Sequence, residues 1–209
     1  MSRVGPPEHT PEQELRLRQQ AKQQLRDRMR SLRRQLPAEA RQARSERIVE
    51  RVRALDAFER AGTLLSFVAI RAEADPSALL AAARAAGKQC ALPRVEQDTG
   101  RLAVHRWDEG DLLERGAFGV PEPSPSAPTV PLEQLDLVVV PALALDERGH
   151  RIGYGKGFYD LLLPTLPNAV RCAVAYDFQL VAEVPEMPGD ERVDVIVTDA
   201  RVLELDRHA

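Results

Sequence analysis

Three short runs of this chain are apolar at nearly every position: LDLVVVP at 135–141, VRCAVAY at 170–176 and VDVIVT at 193–198. A strand with one wet face alternates apolar and polar residues. A strand that is apolar throughout is covered on both faces, the habit of parallel sheets flanked by helices. TLLSFVAI at 63–70 has the same character. Helical patterns separate these runs at lengths that suit right-handed crossovers. The expected class is α/β: a largely parallel or mixed sheet with helices on both faces.

The remaining elements follow from periodicity and from turn residues. Residues 1–11 read as a flexible tail, and residues 12–36 as one helix. Leu25, Met29, Leu32 and Leu36 form its apolar stripe and Pro37 ends it. A second helix is predicted over 39–59, with Ile48, Val52 and Leu55 inward and Gly62 as its break. Asp75-Pro76 opens a helix over 75–86, closed by Gly87. Residues 89–95 read as a strand despite Pro93, and 101–105 as a short strand after the Asp98-Thr99-Gly100 turn. The glycines and prolines from Gly116 to Pro131 predict a long loop, proline-rich over 121–131. A short helix at 158–163, a helical segment at 177–184 and a last strand at 201–205 complete the reading. At about 150 residues per domain, residues 12–209 are expected to form a single domain.

Composition excludes several classes. Apolar residues make up 44% and charged residues 29%, with a net charge of −3, so neither a disordered chain nor a disulfide scaffold fits. Cys90 and Cys172 each sit in an apolar run and read as buried, reduced thiols, with no metal-binding spacing. No run approaches the roughly 20 apolar residues of a membrane span, and the start lacks the apolar segment of a secretory signal. A cytoplasmic protein is expected. His9, His105, His150 and His208 share no spacing. No G-x-S-x-G and no Cys/His pair suggests a nucleophilic triad.

The segment Arg151-Ile152-Gly153-Tyr154-Gly155-Lys156-Gly157-Phe158-Tyr159-Asp160 carries the chemistry. It follows a buried strand and a turn, and leads into a helix. Alternating glycines let a backbone approach a ligand closely, and their amides can form an anion-binding nest. The following helix would point its free amides at the same place. Lys156 and Arg151 add positive charge, and Asp160 could hold Mg²⁺ on a nucleotide. The spacing matches neither the P-loop nor the dinucleotide fingerprint. The alternative is a tight structural turn whose aromatic residues cap the core.

Residues 15–34 carry eight basic side chains against Asp27 alone, a net +7, with Lys22, Arg26, Arg30 and Arg33 on one helical face. Such a face either is solvated, sends one or two residues to a nucleotide phosphate, or contacts nucleic acid. The low aromatic content offers no stacking platform for the last. Glu73 lies just beyond a buried strand, where open sheets keep their ligands, and could accept hydrogen bonds from an amino-bearing ring. Asp194 opens the 193–198 strand and could be a second metal contact or a solvated strand-end acid. Asp177-Phe178-Gln179 also lies at a strand end.

Together these pieces resemble the 5-formyltetrahydrofolate cyclo-ligase family. The resemblance runs from Lys22-x-x-Leu25-Arg26 through Glu73, Gly87-Lys88, Ala91-Leu92-Pro93 and Phe118-Gly119-Val120-Pro121-Glu122-Pro123. It continues through Asp136 to Pro141, Arg151 to Asp160, Phe178-Gln179 and Val193-Asp194. It implies a three-layer α/β/α sandwich and an ATP- and Mg²⁺-dependent enzyme of one-carbon metabolism. It implies ATP binding by Lys22, Gln23, Gln24, Leu25 and Arg26 and by Arg151, Ile152, Gly153, Tyr154, Gly155, Lys156, Gly157, Phe158 and Tyr159. It places the reduced folate against Val68, Glu73 and the stretch Tyr154 to Phe158, and Mg²⁺ at Asp160 and Asp194. Lys156 and Arg151 are the catalytic candidates, and the expected form is a monomer with no nucleic-acid or membrane partner.

The implied reaction closes the ring of 5-formyltetrahydrofolate. The formyl oxygen takes the terminal phosphoryl group of ATP to give an N5-iminium phosphate. N10 attacks the activated carbon, and 5,10-methenyltetrahydrofolate, ADP and phosphate result. Before Glu73 this chain reads Phe-Val-Ala-Ile-Arg-Ala where relatives more often carry a Leu-Pro pair and a Gly, and Phe158 stands where Tyr is usual. The competing readings are a similarly layered enzyme for a phosphorylated or CoA-linked substrate, and an RNA-binding protein using the basic helix.

Overall fold

The computed structural model describes residues 10–205. The expected tail falls outside the described residues except at its end, where Thr10 caps the first helix and Pro11 begins it. Thr10 accepts from the Gln13 N–H while the Gln13 side chain accepts from the Thr10 N–H, a reciprocal cap. This helix, α1 (Pro11–Gln35), is followed by α2 (Ala38–Arg53) and α3 (Asp56–Arg60). The predicted 39–59 helix is thus two, because the chain turns at Ala54 to bury Leu55. Then come β1 (Thr63–Leu65), α4 (Ser77–Ala85), β2 (Gln89–Glu96) and β3 (Arg101–Arg106). A small hairpin, β4 (Leu113–Arg115) with β5 (Pro121–Pro123), occupies part of the expected proline-rich loop. The rest is β6 (Leu137–Pro141), the hairpin β7 (Ala144–Leu145) and β8 (Arg151–Ile152), α5 (Phe158–Leu162), β9 (Val170–Ala175), β10 (Val195–Thr198) and β11 (Val202–Glu204).

One seven-stranded sheet runs β11-β10-β9-β6-β1-β2-β3. Its five inner strands are parallel, and β3 and β11 close the edges antiparallel. The continuous apolar runs are explained by this placement. In β6, Leu137 and Val139 face the layer of α2, α3 and α4, while Val138 and Val140 face Leu162, Leu163 and Leu166. The result is a three-layer α/β/α sandwich. Pro93 fits inside β2 because of parity. The Ala91 carbonyl bonds the β1 side at the Ser66 N–H and the Cys90 carbonyl bonds the β3 side at the Trp107 N–H, so Pro93 faces the β1 side, beyond that strand's end.

Two predicted elements are shorter. The strand expected over 63–70 stops at Leu65, because the chain beyond Ser66, whose N–H still bonds the Ala91 carbonyl, leaves the ladder and turns through left-handed backbone at Arg71 and Ala72. The helical segment expected over 177–184 is a single 3₁₀ turn at Asp177–Gln179, held by Gln179, whose amide donates to the carbonyls of Ala142 and Leu143. The helix expected from Asp75 starts at Ser77, with Asp75 Oδ1 accepting from the Ser77 N–H.

Chain order reverses between β1 and β6. From β1 the sheet grows outward through β2 and β3, and from β6 through β9, β10 and β11. The connections leaving the carboxyl ends of two such strands go to opposite faces and leave a crevice between them.

Candidate active site

A cavity of about 420 Å³ occupies that crevice, within the size range of small-molecule sites. Phe67 and Val68 after β1, Pro141 and Ala142 at the end of β6, and the segment from Arg151 to Asp160 line it. Helix α1 lies across it, with Met29 buried against Leu143, Ala144 and Ile152 and with Leu25 and Leu32 beside it. Six cationic side chains and four carboxylates line the walls.

The glycine segment is aimed by the β7–β8 hairpin. Asp146, fully buried, accepts from the N–H groups of Arg148, His150 and Val184 and so fixes the turn. Gly149 is required there. Its φ is 88° and an added Cβ would come within 2.8 Å of the Val193 carbonyl oxygen. Beyond the hairpin, Gly155 and Gly157 take φ of 92° and 71°, whereas Gly153 does not need left-handed backbone. Among the described residues, the N–H groups of residues 153–157 have no hydrogen-bond acceptor. Helix α5 is only five residues long, so these loop amides, rather than a helix dipole, are the donors on offer.

Charged side chains surround the loop. Arg26 donates from Nε to the Gly153 carbonyl at 3.0 Å and packs its guanidinium against Gly155. Lys22, buried in α1, is ion-paired with Asp190. Arg151 is buried and donates to Asp160 at 2.8 Å. Burial pulls its guanidinium below the ordinary value, and Asp160 opposes that shift. Lys156 is exposed, with its Nζ 4.7 Å from the Phe118 ring centre. Phe118 in turn lies 5.9 Å from the Phe158 ring.

At the other end of the cavity, Glu73 is buried. Its Oε2 accepts from the Ile70 N–H at 2.9 Å, and its Oε1 has no hydrogen-bond partner. Burial pushes its carboxyl above the ordinary range, while the Ile70 N–H, Arg33, Tyr154 and Arg71 pull it back. Arg33 Nη1 stands 3.9 Å from Glu73 Oε1, and Arg33 Nη2 donates to the Tyr154 hydroxyl at 2.7 Å. Burial, reinforced by Glu73, pushes the Tyr154 phenol up to about 12, so it keeps its proton at neutral pH.

The structure brings most of the expected residues to one place. Lys22, Arg26, Val68, Glu73, every residue from Arg151 to Tyr159, and Asp160 line the cavity. Gln23, Gln24 and Leu25 do not. Gln23 donates to Asp27 on the exposed face, Gln24 is exposed, and Leu25 packs with Met29. Asp194 does not reach the cavity either. It lies just before β10, at the amino end of that strand, and its Oδ2 accepts from the Arg171 N–H. Asp190 is the second acid that shares the cavity with Asp160, and no periodic signal in its Pro-Gly-Asp context could have revealed it. Arg30 and Arg33, on the Lys22–Arg26 helical face, and Arg71 are further cations at the site; helical spacing reveals the first two, and no periodic signal reveals Arg71.

The described residues contain no cluster of three or more His, Cys, Asp or Glu able to hold a metal by themselves. A Mg²⁺ ion keeps several waters and takes one or two carboxylates beside phosphate oxygens. Asp160 and Asp190 suit that mode, and the six cations with the unbonded loop amides suit a polyphosphate.

Comparison with known proteins decides the lineage. Residues 18–199 match the model of the 5-formyltetrahydrofolate cyclo-ligase family. The chain belongs to this family. It is 31% identical over 188 residues to the 5-formyltetrahydrofolate cyclo-ligase of Mycolicibacterium smegmatis, covering 87% of this chain and 95% of that one. It is 29% identical over 180 residues to the Escherichia coli cyclo-ligase, covering 84% and 99%. The Aquifex aeolicus 5,10-methenyltetrahydrofolate synthetase structure superposes with a TM-score of 0.78 at 32% identity, over 88% of this chain and 92% of that one. Among the described residues no helix is long and apolar enough to cross a membrane.

Proposed function

We propose that this cyclo-ligase family member carries out ATP-dependent cyclisation of 5-formyltetrahydrofolate to 5,10-methenyltetrahydrofolate, with release of ADP and phosphate, in the cavity at the β1/β6 switch. The observation that carries the reading is the row of N–H groups at 153–157 without acceptors, set among Lys22, Arg26, Arg151 and Lys156. Unpaired amides beside convergent cations match the charge and shape of a terminal phosphate. A structural turn, the competing account of the glycines, would have spent those amides on its own backbone.

The chain's residues divide the work. The loop amides and Lys156 hold the phosphoryl oxygens as charge shifts between attacking and leaving oxygens, and Arg151, kept in orientation by Asp160, adds a fixed positive charge. Lys22 and Arg26 reach the nucleotide's inner phosphates. Asp160 and Asp190 would hold Mg²⁺, whose chemistry is to neutralise phosphate charge. Glu73 Oε1, buried without a donor, accepts from the amino group of the pterin. Phe118 and Phe158 cover the mouth and exclude water from the phosphorylated substrate. Positioning and charge suffice, so no covalent protein nucleophile is required.

The test is direct. Purified protein mixed with Mg-ATP and 5-formyltetrahydrofolate should develop the methenyl product's near-ultraviolet absorbance only when ATP is present. Folded protein giving no ATP-dependent signal would sink the reading.

A further inference from the structure

We propose that Arg71 binds an oxyanion of a substrate beside the Tyr154 ring in the cavity wall and thereby sets which substrate is held tightly. The inference rests on the cyclo-ligase reading and deepens it, since the oxyanion is either a carboxylate of the reduced folate or a phosphate of the nucleotide.

The backbone at this point is costly. Arg71 and Ala72 have φ of 49° and 63°, two successive non-glycine residues in left-handed backbone. Such strain persists only where neighbours over-determine it. Here they do. Arg33, buried, donates from Nη2 to the carbonyls of Ile70 at 3.3 Å and Arg71 at 2.8 Å. The Glu73 N–H donates to the Ile70 carbonyl at 3.0 Å, and Glu73 Oε2 accepts from the Ile70 N–H. The turn carries the Arg71 guanidinium to 5.6 Å from the Tyr154 ring centre, beside Arg30 at 5.5 Å.

That guanidinium lacks the partner its neighbours have. Arg30 is paired with Asp27 at 3.2 Å, and Arg33 stands next to Glu73. Arg71 is exposed and makes no ion pair among the described residues, although its charge helps pull the Glu73 carboxyl down. A second observation points to a ligand in the same wall. Glu73 Oε1, on a side chain 5% exposed, has no hydrogen-bond partner, and Arg33 Nη1 faces it as an ion-pair neighbour at 3.9 Å. A buried acceptor oxygen without a hydrogen bond, in the same cavity wall as an exposed guanidinium without an ion pair, describes a site that a ligand with both a donor and an anion completes. Arg71 also lies in the wall between this cavity and a second one of about 510 Å³, so an extended substrate could pass it.

The experiment compares Arg71→Gly, Arg71→Lys and Ala72→Gly in the full chain. Glycine suits left-handed backbone, so Arg71→Gly removes the guanidinium without straining the turn. Binding of a non-hydrolysable Mg-ATP analogue and of 5-formyltetrahydrofolate is measured by calorimetry, with KM and kcat alongside. Arg71→Gly is expected to weaken one of the two ligands about tenfold or more while kcat stays within about twofold. The ligand that weakens identifies the oxyanion as phosphate or carboxylate. Arg71→Lys should recover part of the loss, and Ala72→Gly should leave both affinities unchanged. The proposal is overturned if Arg71→Gly leaves both affinities within about twofold, or if Ala72→Gly weakens the same ligand as much. Should Arg71→Gly fail to fold, Arg71→Gln reads the same comparison. A wild-type chain without ATP-dependent turnover would overturn the function reading, whereas the binding comparison would still decide the role of Arg71.

Discussion

Replacing Lys156 by alanine separates catalysis from folding more cleanly than any other change at the site. Lys156 is exposed and lies in a loop, and among the described residues it makes no hydrogen bond or ion pair, its one ring contact being with Phe118 at 4.7 Å. An exposed cation–π contact contributes about 0.5–1 kcal/mol. Lys156→Ala should therefore lower the unfolding free energy by about 1 kcal/mol at most, a fall of about 2–4 °C in Tm for a chain of this length. Its effect on turnover should be far larger. Removing one positioned donor from a developing charge costs roughly 10²- to 10³-fold in kcat, or about 2.7–4 kcal/mol. The assay pairs a thermal melt with the ATP-dependent absorbance rise of the methenyl product. A variant that melts like wild type and keeps kcat within about threefold would refute the assignment of Lys156 to the transferring phosphate. A variant that loses activity only because it unfolds would refute the claim that its role is chemical.

Other consequences follow from the same geometry. Gly149→Ala combines left-handed backbone, about 1–2 kcal/mol, with a Cβ placed 2.8 Å from the Val193 carbonyl and 2.9 Å from Leu205 Cδ1. It should destabilise by about 2–5 kcal/mol in a denaturant melt once overpacking is added, and a loss under about 1 kcal/mol would contradict the packing. Asp190→Asn should raise the Mg²⁺ concentration for half-maximal activity about tenfold or more, whereas Asp194→Asn should leave it unchanged. The reverse result would assign the metal to Asp194 and not to Asp190. Burial alone would raise the Asp146 carboxyl, but hydrogen bonds from the Val184 N–H, Arg148 and the His150 N–H outweigh it and hold it below its ordinary value. The unfolded chain therefore takes up that proton first as pH falls. The stability Asp146 contributes is present above the ordinary carboxylate value and is lost as pH drops through the lowered one. Asp146→Asn should flatten the fall of Tm below about pH 4, and an unaltered acid slope would show that Asp146 is not responsible.

What the residues reveal in advance depends on how local the governing interaction is. Val138 and Val140 facing one layer and Leu137 and Val139 the other is a two-sided burial that any covered strand must encode in its own letters, so the sheet was legible. The end of β1 at Leu65 was not, because the apolar letters continue through Ile70. There the chain leaves the ladder for reasons lying 37 residues away, where Arg33 ties the carbonyls of Ile70 and Arg71. The same contrast holds in the site. The Arg151–Asp160 segment is contiguous and announces itself. Asp190 becomes a neighbour of Lys22 only through the path taken by residues 184–190, which the buried Asp146 anchors through the Val184 N–H. Asp194 stands just before β10, at that strand's amino end, where its Oδ2 accepts from the Arg171 N–H.

The central claim is that the N–H groups of residues 153–157 stand open to receive a nucleotide's terminal phosphate. Titrating ¹⁵N-labelled protein with a Mg-bound, non-hydrolysable ATP analogue reads those groups one by one. The expected result is saturable shifts at the amides of Gly153, Gly155 and Gly157, larger than those elsewhere, together with slowed exchange of the same protons. Nucleotide binding that shifts other regions of the chain and leaves these amides in place would contradict the account.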